Sequence, residues 1–181
     1  MSDASYSLPL PEDTRALGAA LAALLLPGDL VVLIGPLGAG KTALTQGIGA
    51  GLGVTGVTSP TFVIAREHHG GRLPLVHVDA YRLGSALELD DLDLDSALED
   101  CVTVVEWGEG LAERLAESWL EVRLARGGGD TGGDSSGDSG GDSDERVARL
   151  VGRGPRWRDV ALDALLGSPP VAPSGWSPAQ P

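Results

Sequence analysis

The stretch Leu30-Val31-Val32-Leu33-Ile34 runs straight into Gly35-Pro36-Leu37-Gly38-Ala39-Gly40-Lys41-Thr42, and helical spacing follows through Leu44, Ile48 and Leu52. No other feature constrains the fold as tightly. A short, wholly apolar run marks a strand buried on both faces, as in a sheet covered by helices. The glycines let the backbone curl so that successive N–H groups point inward and surround an anion. The helix that follows presents its positive end to the same point. The spacing Gly35-x4-Gly40-Lys41-Thr42 fits the Walker A pattern in the strand-before, helix-after context it requires. In that pattern the lysine reaches the β and γ phosphate oxygens and the hydroxyl ligates Mg²⁺.

The basic residues sharpen this reading. Of the 13 Lys plus Arg, 12 are arginine, and Lys41 is the only lysine in the protein. A compact ammonium is kept at the single position where a phosphate loop needs one. Net charge is −13, and residues 127–145 contribute six acids and no base, so the remainder is still about −7. An acidic body argues against unaided binding of tRNA or DNA. One cysteine, Cys101, cannot form an internal disulfide and reads as a buried thiol in a reducing compartment. No apolar run reaches the roughly 20 residues that cross a bilayer. Met1 to Pro11 lack a positive start and an apolar core, so no secretory signal is expected and the cytoplasm is the expected location.

Around the loop the spacing predicts one α/β domain over residues 1–166. A helix starts at Pro11-Glu12-Asp13-Thr14 with an apolar stripe of Leu17, Leu21, Leu24 and Leu25, and Pro27-Gly28-Asp29 ends it. Phe62 to Glu67 and Leu73 to Ala80 read as a hairpin turning at His68-His69-Gly70-Gly71, with both histidines exposed. Glu88 to Asp100 reads as loop plus a short helix, and Val102 to Val105 as a buried strand. Leu111, Leu115 and Trp119 suggest a helix before a strand at Trp119 to Leu124. Residues 127–144 hold only Gly, Asp, Ser and one Thr, a disordered insert by composition. It sits in a hairpin between Leu120–Ala125 and Arg146–Val151. A last helix is expected from Trp157 to Leu166, and a Pro-rich flexible tail over 167–181.

Two acids end predicted strands, Asp79 after Leu75-Val76-His77-Val78 and Glu106 after Val102-Thr103-Val104-Val105. Either can hold Mg²⁺ through water or orient an attacking water, and a solvated strand end is the plain alternative. His77 reads as a packed histidine within its strand, and no spacing suggests a zinc site. Ser59-Pro60-Thr61 is either a nucleotide-sensing segment or a proline-fixed turn entering a strand.

Taken together, Gly35 to Thr42, Thr58-Ser59-Pro60-Thr61-Phe62, His77-Val78-Asp79-Ala80-Tyr81-Arg82-Leu83 and Glu106-Trp107 resemble the TsaE family over residues 5–125. The resemblance implies a P-loop α/β fold with a mixed central sheet flanked by helices. It implies a slow ATPase acting with TsaB and TsaD homologues in threonylcarbamoyl modification (t6A) of adenosine 37 in tRNAs reading ANN codons. Contact with tRNA would be indirect, through that complex, with no direct DNA binding and no membrane. ATP and Mg²⁺ are the implied ligands. By the same resemblance Leu37, Gly38, Ala39, Gly40, Lys41 and Thr42 bind phosphates, and Thr42 with Glu106 holds Mg²⁺. Asp79 is the Walker B-like acid, Thr61 the switch-like residue and Trp107 the tryptophan needed for activity. Thr14 and Glu109 lie near the nucleotide, and Tyr81 and Arg82 are structural or partner-facing. Pro36 departs from the acid common at its place, and Ala80 from leucine. A small-molecule kinase is the alternative, but the chain has no basic residue between Arg82 and Arg114 to build a lid. A nucleotide-dependent binding module without catalysis is the third reading.

Overall fold

The computed structural model describes residues 2–60, 64–82, 99–126 and 145–167. In chain order the elements are β1 Asp3–Leu8, α1 Pro11–Ala22, β2 Leu30–Ile34, α2 Lys41–Leu52, β3 Ala65–His68, β4 Leu75–Asp79, β5 Val102–Glu106, β6 Trp119–Arg126 and β7 Arg146–Arg153. The seven strands form one mixed sheet in the order β1-β7-β6-β2-β5-β4-β3. Its centre, β6-β2-β5-β4, is parallel. The edges are antiparallel, β3 on β4 at one side and β7 then β1 beyond β6 at the other. This is the α/β, mixed-sheet fold expected. The parallel centre has one functional consequence: Ile34, Asp79, Glu106 and Arg126 all finish at the same sheet end, where open α/β sheets bind ligands.

Period-two alternation distributes the core. Val31 and Leu33 face the helix side with Leu17, Leu21, Leu44 and Ile48. Leu30 and Val32 face the other side with Val76, Val78, Val105 and Ala112. Both sides of β2 are thus dry, as five consecutive apolar residues require. Asp13 starts α1 by accepting the Leu10 N–H at 2.8 Å, with Pro11 at the first turn. The two helices touch backbone to backbone: a Cβ added at Gly47 would strike the Arg15 carbonyl, and one at Gly18 the Leu44 carbonyl. That close approach brings Thr14, in the first turn of α1, beside the glycine loop. Asp29 ties the start of β2 to the C-terminal segment, pairing with the Arg156 guanidinium through two hydrogen bonds of 3.0 and 2.9 Å.

Several local expectations are corrected. β1 was not anticipated, although Ala4, Tyr6 and Leu8 alternate inward. Tyr6 is locked there by donating to the Leu162 carbonyl and accepting the Leu165 N–H. The helix expected at Leu111–Trp119 is a single 3₁₀ turn, Ala112–Leu115, because Trp119 pairs with Leu30 and Ala116 is already extended. The helix expected at Trp157–Leu166 is two 3₁₀ turns, Pro155–Trp157 and Leu162–Ala164. Trp157 and Leu162 are both buried, yet residues five apart lie about 140° apart round a helix. His68 belongs to β3 and is buried, while His69 is exposed as expected. The hairpin β6–β7 forms at the expected place. Thr61 and the strand start at Phe62, most of the 88–100 segment, the 127–144 insert and the 168–181 tail lie outside the described residues.

Substituting Gly47→Ala should force α1 from α2 and destabilise the protein by about 1–3 kcal/mol. Urea denaturation with an unchanged slope checks this.

Candidate functional site

The loop from Gly35 to Gly40 turns on glycines at φ values of 151°, 75° and 105° for Gly35, Gly38 and Gly40. The latter two lie in the left-handed region that side chains disfavour. Lys41 opens α2, and its side chain is buried. Its ammonium donates to the Gly35 carbonyl at 2.7 Å and the Pro36 carbonyl at 3.0 Å. It also sits 3.7 Å from the centroid of the Trp107 ring, a cation–π contact. Pro36 lacks an N–H, but its carbonyl helps hold the lysine. Burial pushes the Lys41 pKa below the ordinary lysine value, opposed by the charges of Glu106 and Asp79.

Beside the loop, Thr42 donates to Glu106 Oε1 at 2.9 Å. The same oxygen is 2.8 Å from His77 Nε2, and both Glu106 and His77 are buried. The alternation of β4 aims His77 inward, and the parallel register sets His77 beside Val104 and Asp79 beside Glu106. His77 is therefore more than packing, because it holds the carboxylate that faces Thr42. Asp79 is half-buried, and its Oδ1 accepts the Tyr81 N–H at 3.1 Å. Trp107 leaves β5 at φ 60°, rare for an aromatic residue, while donating its N–H to the Leu33 carbonyl at 3.1 Å. The exposed Tyr81 ring lies 5.2 Å from the Trp107 ring.

The structure brings Lys41, Thr42, Asp79, Glu106 and Trp107 together in one cluster. Thr14 joins it from α1: its methyl carbon is 3.4 Å from where a Gly40 Cβ would stand. Its buried hydroxyl has no hydrogen-bond partner among the described residues. Glu109 is engaged elsewhere, in an ion pair with Arg123 at 2.6 Å. Two residues near the loop were missed. A Cβ at Gly38 would meet Arg126 Nη2 at 2.7 Å, and one at Gly40 would meet Arg146 Cδ at 3.5 Å. The signal was present in the predicted hairpin, whose ends these arginines occupy, but the sheet order that sets β6 beside β2 is not readable locally.

These residues fit a phosphate chain and a hard cation. The glycine cradle leaves room that a Cβ would fill, the lysine lies within it, and Thr14 keeps an unused hydroxyl. Thr42 and Glu106 offer oxygen donors of the kind Mg²⁺ takes. Among the described residues no three His, Cys, Asp or Glu side chains form a metal cage. A cation here would draw its other ligands from a bound phosphate chain and water.

A parallel-centred sheet with a lysine-bearing glycine loop between strand and helix defines an α/β protein of the phosphate-loop class. The family described as "Threonylcarbamoyl adenosine biosynthesis protein TsaE" matches residues 8–131. A Streptomyces coelicolor protein named tRNA threonylcarbamoyladenosine biosynthesis protein TsaE is 54% identical over 158 residues, 84% of this chain and 99% of the relative. A Mycobacterium bovis protein of the same name is 57% identical over 130 residues, 66% of this chain and 77% of the relative. A crystal structure of Bacillus subtilis YdiB superposes with a TM-score of 0.62 at 33% identity, covering 85% of this chain and 87% of that one. The chain belongs to the TsaE family.

Because burial disfavours its charge, Lys41 carries a stability cost in the folded state. Lys41→Met should raise the denaturation midpoint at neutral pH. The sign follows from linkage: with the folded pKa below the unfolded 10.5, the wild type regains stability as pH climbs between the two. The gap between variant and wild type should therefore narrow at alkaline pH, as denaturation at several pH values would show.

Proposed function

We propose that this chain binds and hydrolyses ATP with Mg²⁺ at the Lys41 loop, in the service of threonylcarbamoyl (t6A) modification of tRNA adenosine 37. The observation that carries this reading is the joint placement of Lys41 in the loop and the Thr42–Glu106 pair beside it, in a chain of the TsaE family. Loop amides from Leu37 to Thr42 bind the phosphates, and Lys41 trades its two loop carbonyls for β and γ oxygens. Thr42 and Glu106 hold the cation, which when bound supplies charge neutralisation to the phosphates. His77 fixes the Glu106 carboxylate. Asp79 orients the attacking water, Thr61 serves as the switch-like residue, and Thr14 contacts the nucleotide from α1. Glu109 meets the nucleotide only by loosening its pair with Arg123. Homologues of TsaB and TsaD are the partners, and tRNA is reached through them, in keeping with the acidic body. The cytoplasm is the corresponding location. No observation favours the kinase alternative.

The test is turnover. Purified protein with TsaB, TsaD, tRNA and threonylcarbamoyl-adenylate should sustain repeated modification only with hydrolysable ATP. Glu106→Ala should abolish hydrolysis, and Lys41→Ala should weaken ATP binding at least about tenfold, as the loss of charge-assisted phosphate contacts implies. Equal multiple turnover without this protein would remove the reading.

A further inference from the structure

Alternation along β6 places Leu120, Val122 and Leu124 in the core on the α1–α2 side of the sheet. Arg126 continues that even-numbered series, so its side chain emerges on the face that carries α2 and the glycine loop. β6 lies parallel beside β2, with Arg123 opposite Ile34, so Arg126 stands three residues further out, about 10 Å beyond the strand end. There its guanidinium reaches the loop, with Nη2 2.7 Å from the position of a Gly38 Cβ. Arg146 is its direct cross-strand partner, and Ala148 and Leu150 put that strand in the same phase.

A directly opposed pair of like charges is destabilising in a sheet. Neighbouring arginines are used differently: Arg123 pairs with Glu109 and Glu121, Arg153 with Glu121, and Arg156 with Asp29. Arg126 is directed at a glycine loop instead, in a protein of net charge −13. A charged fork aimed at a loop of glycines, with its Nη2 2.7 Å from where a Gly38 Cβ would stand, marks a place where an anion can be met. An anion at the loop accounts for it, and a planar fork of N–H donors suits phosphate oxygens better than any neutral part of a nucleotide.

We infer that Arg126 is a phosphate-binding residue, which closes over the loop from β6 and supplies a second cation opposite Lys41 to the β and γ phosphates. This rests on the nucleotide reading above. Calorimetric titration of wild type, Arg126→Ala and Arg126→Lys with ATP, ADP and adenosine in Mg²⁺ buffer tests it. Arg126→Ala should bind ATP about tenfold more weakly, lose less toward ADP and nothing toward adenosine. Arg126→Lys should fall between, keeping charge without the fork, and it gives the answer alone if the alanine variant does not fold. Unchanged ATP affinity, or an equal loss for ATP and adenosine, would overturn the assignment. Failure of the wild type to bind ATP would instead sink the nucleotide reading.

Discussion

The structure depends on keeping one buried ammonium in a place that disfavours its charge. Lys41 is held by the carbonyls of Gly35 and Pro36, by the face of Trp107 and by the field of Glu106 and Asp79. Those groups come from three separate parts of the chain, and the parallel centre of the sheet delivers them together. β2 supplies the loop, β4 ends in Asp79, and β5 ends in Glu106 and Trp107. The loop carbonyls are weak, displaceable partners for an ammonium. A phosphate bound there would replace them without any further desolvation of the lysine, because the ammonium is already buried in the folded protein.

Trp107 shows how the same economy reaches the backbone. Its φ of 60° lies where bulky side chains rarely sit, and such residues persist only where the surroundings hold them. Here the Trp107 N–H is fixed on Leu33, the last buried residue of the loop strand, and the indole faces the lysine. The twist at the end of β5 thus turns Trp107 toward the loop while Glu106 stays beside Thr42. A residue in ordinary extended geometry would continue the alternation of the strand, and the indole would leave the site.

The sequence made the centre of the molecule legible and its margins less so. β2, the loop and α2 were readable because apolar run, glycine spacing and helical period agree locally. The strand-end acids were readable because β4 and β5 are short apolar runs that finish in one carboxylate each. What failed were elements decided by long-range pairing. Asp3–Leu8 is polar enough to pass for a tail until Tyr6 finds carbonyl and amide partners more than 150 residues away. Leu111, Leu115 and Trp119 have helical spacing, but β6 claims Trp119 for the sheet. His77 looked like packing because its carboxylate partner lies 29 residues on, joined only by the parallel register. Arg126 was hidden for the same reason, since nothing near it in sequence says that β6 adjoins β2.

The acidity of the chain fits this arrangement. Attraction of an anion to a protein is set near the site by the few charges that face it, because screening in salt limits the reach of the rest to about 10 Å. Arginines that brace the fold are neutralised by their own carboxylates, Arg156 by Asp29 and Arg123 by Glu109 and Glu121. Lys41 and the Arg126 guanidinium are turned to the loop. An acidic surface elsewhere leaves that local field intact while disfavouring the indiscriminate adhesion to nucleic acid that a basic body would bring. For a chain whose family is named for tRNA modification, that separation has a physical logic: positive charge is gathered where a phosphate would meet it, and the acidic remainder disfavours direct adhesion to RNA.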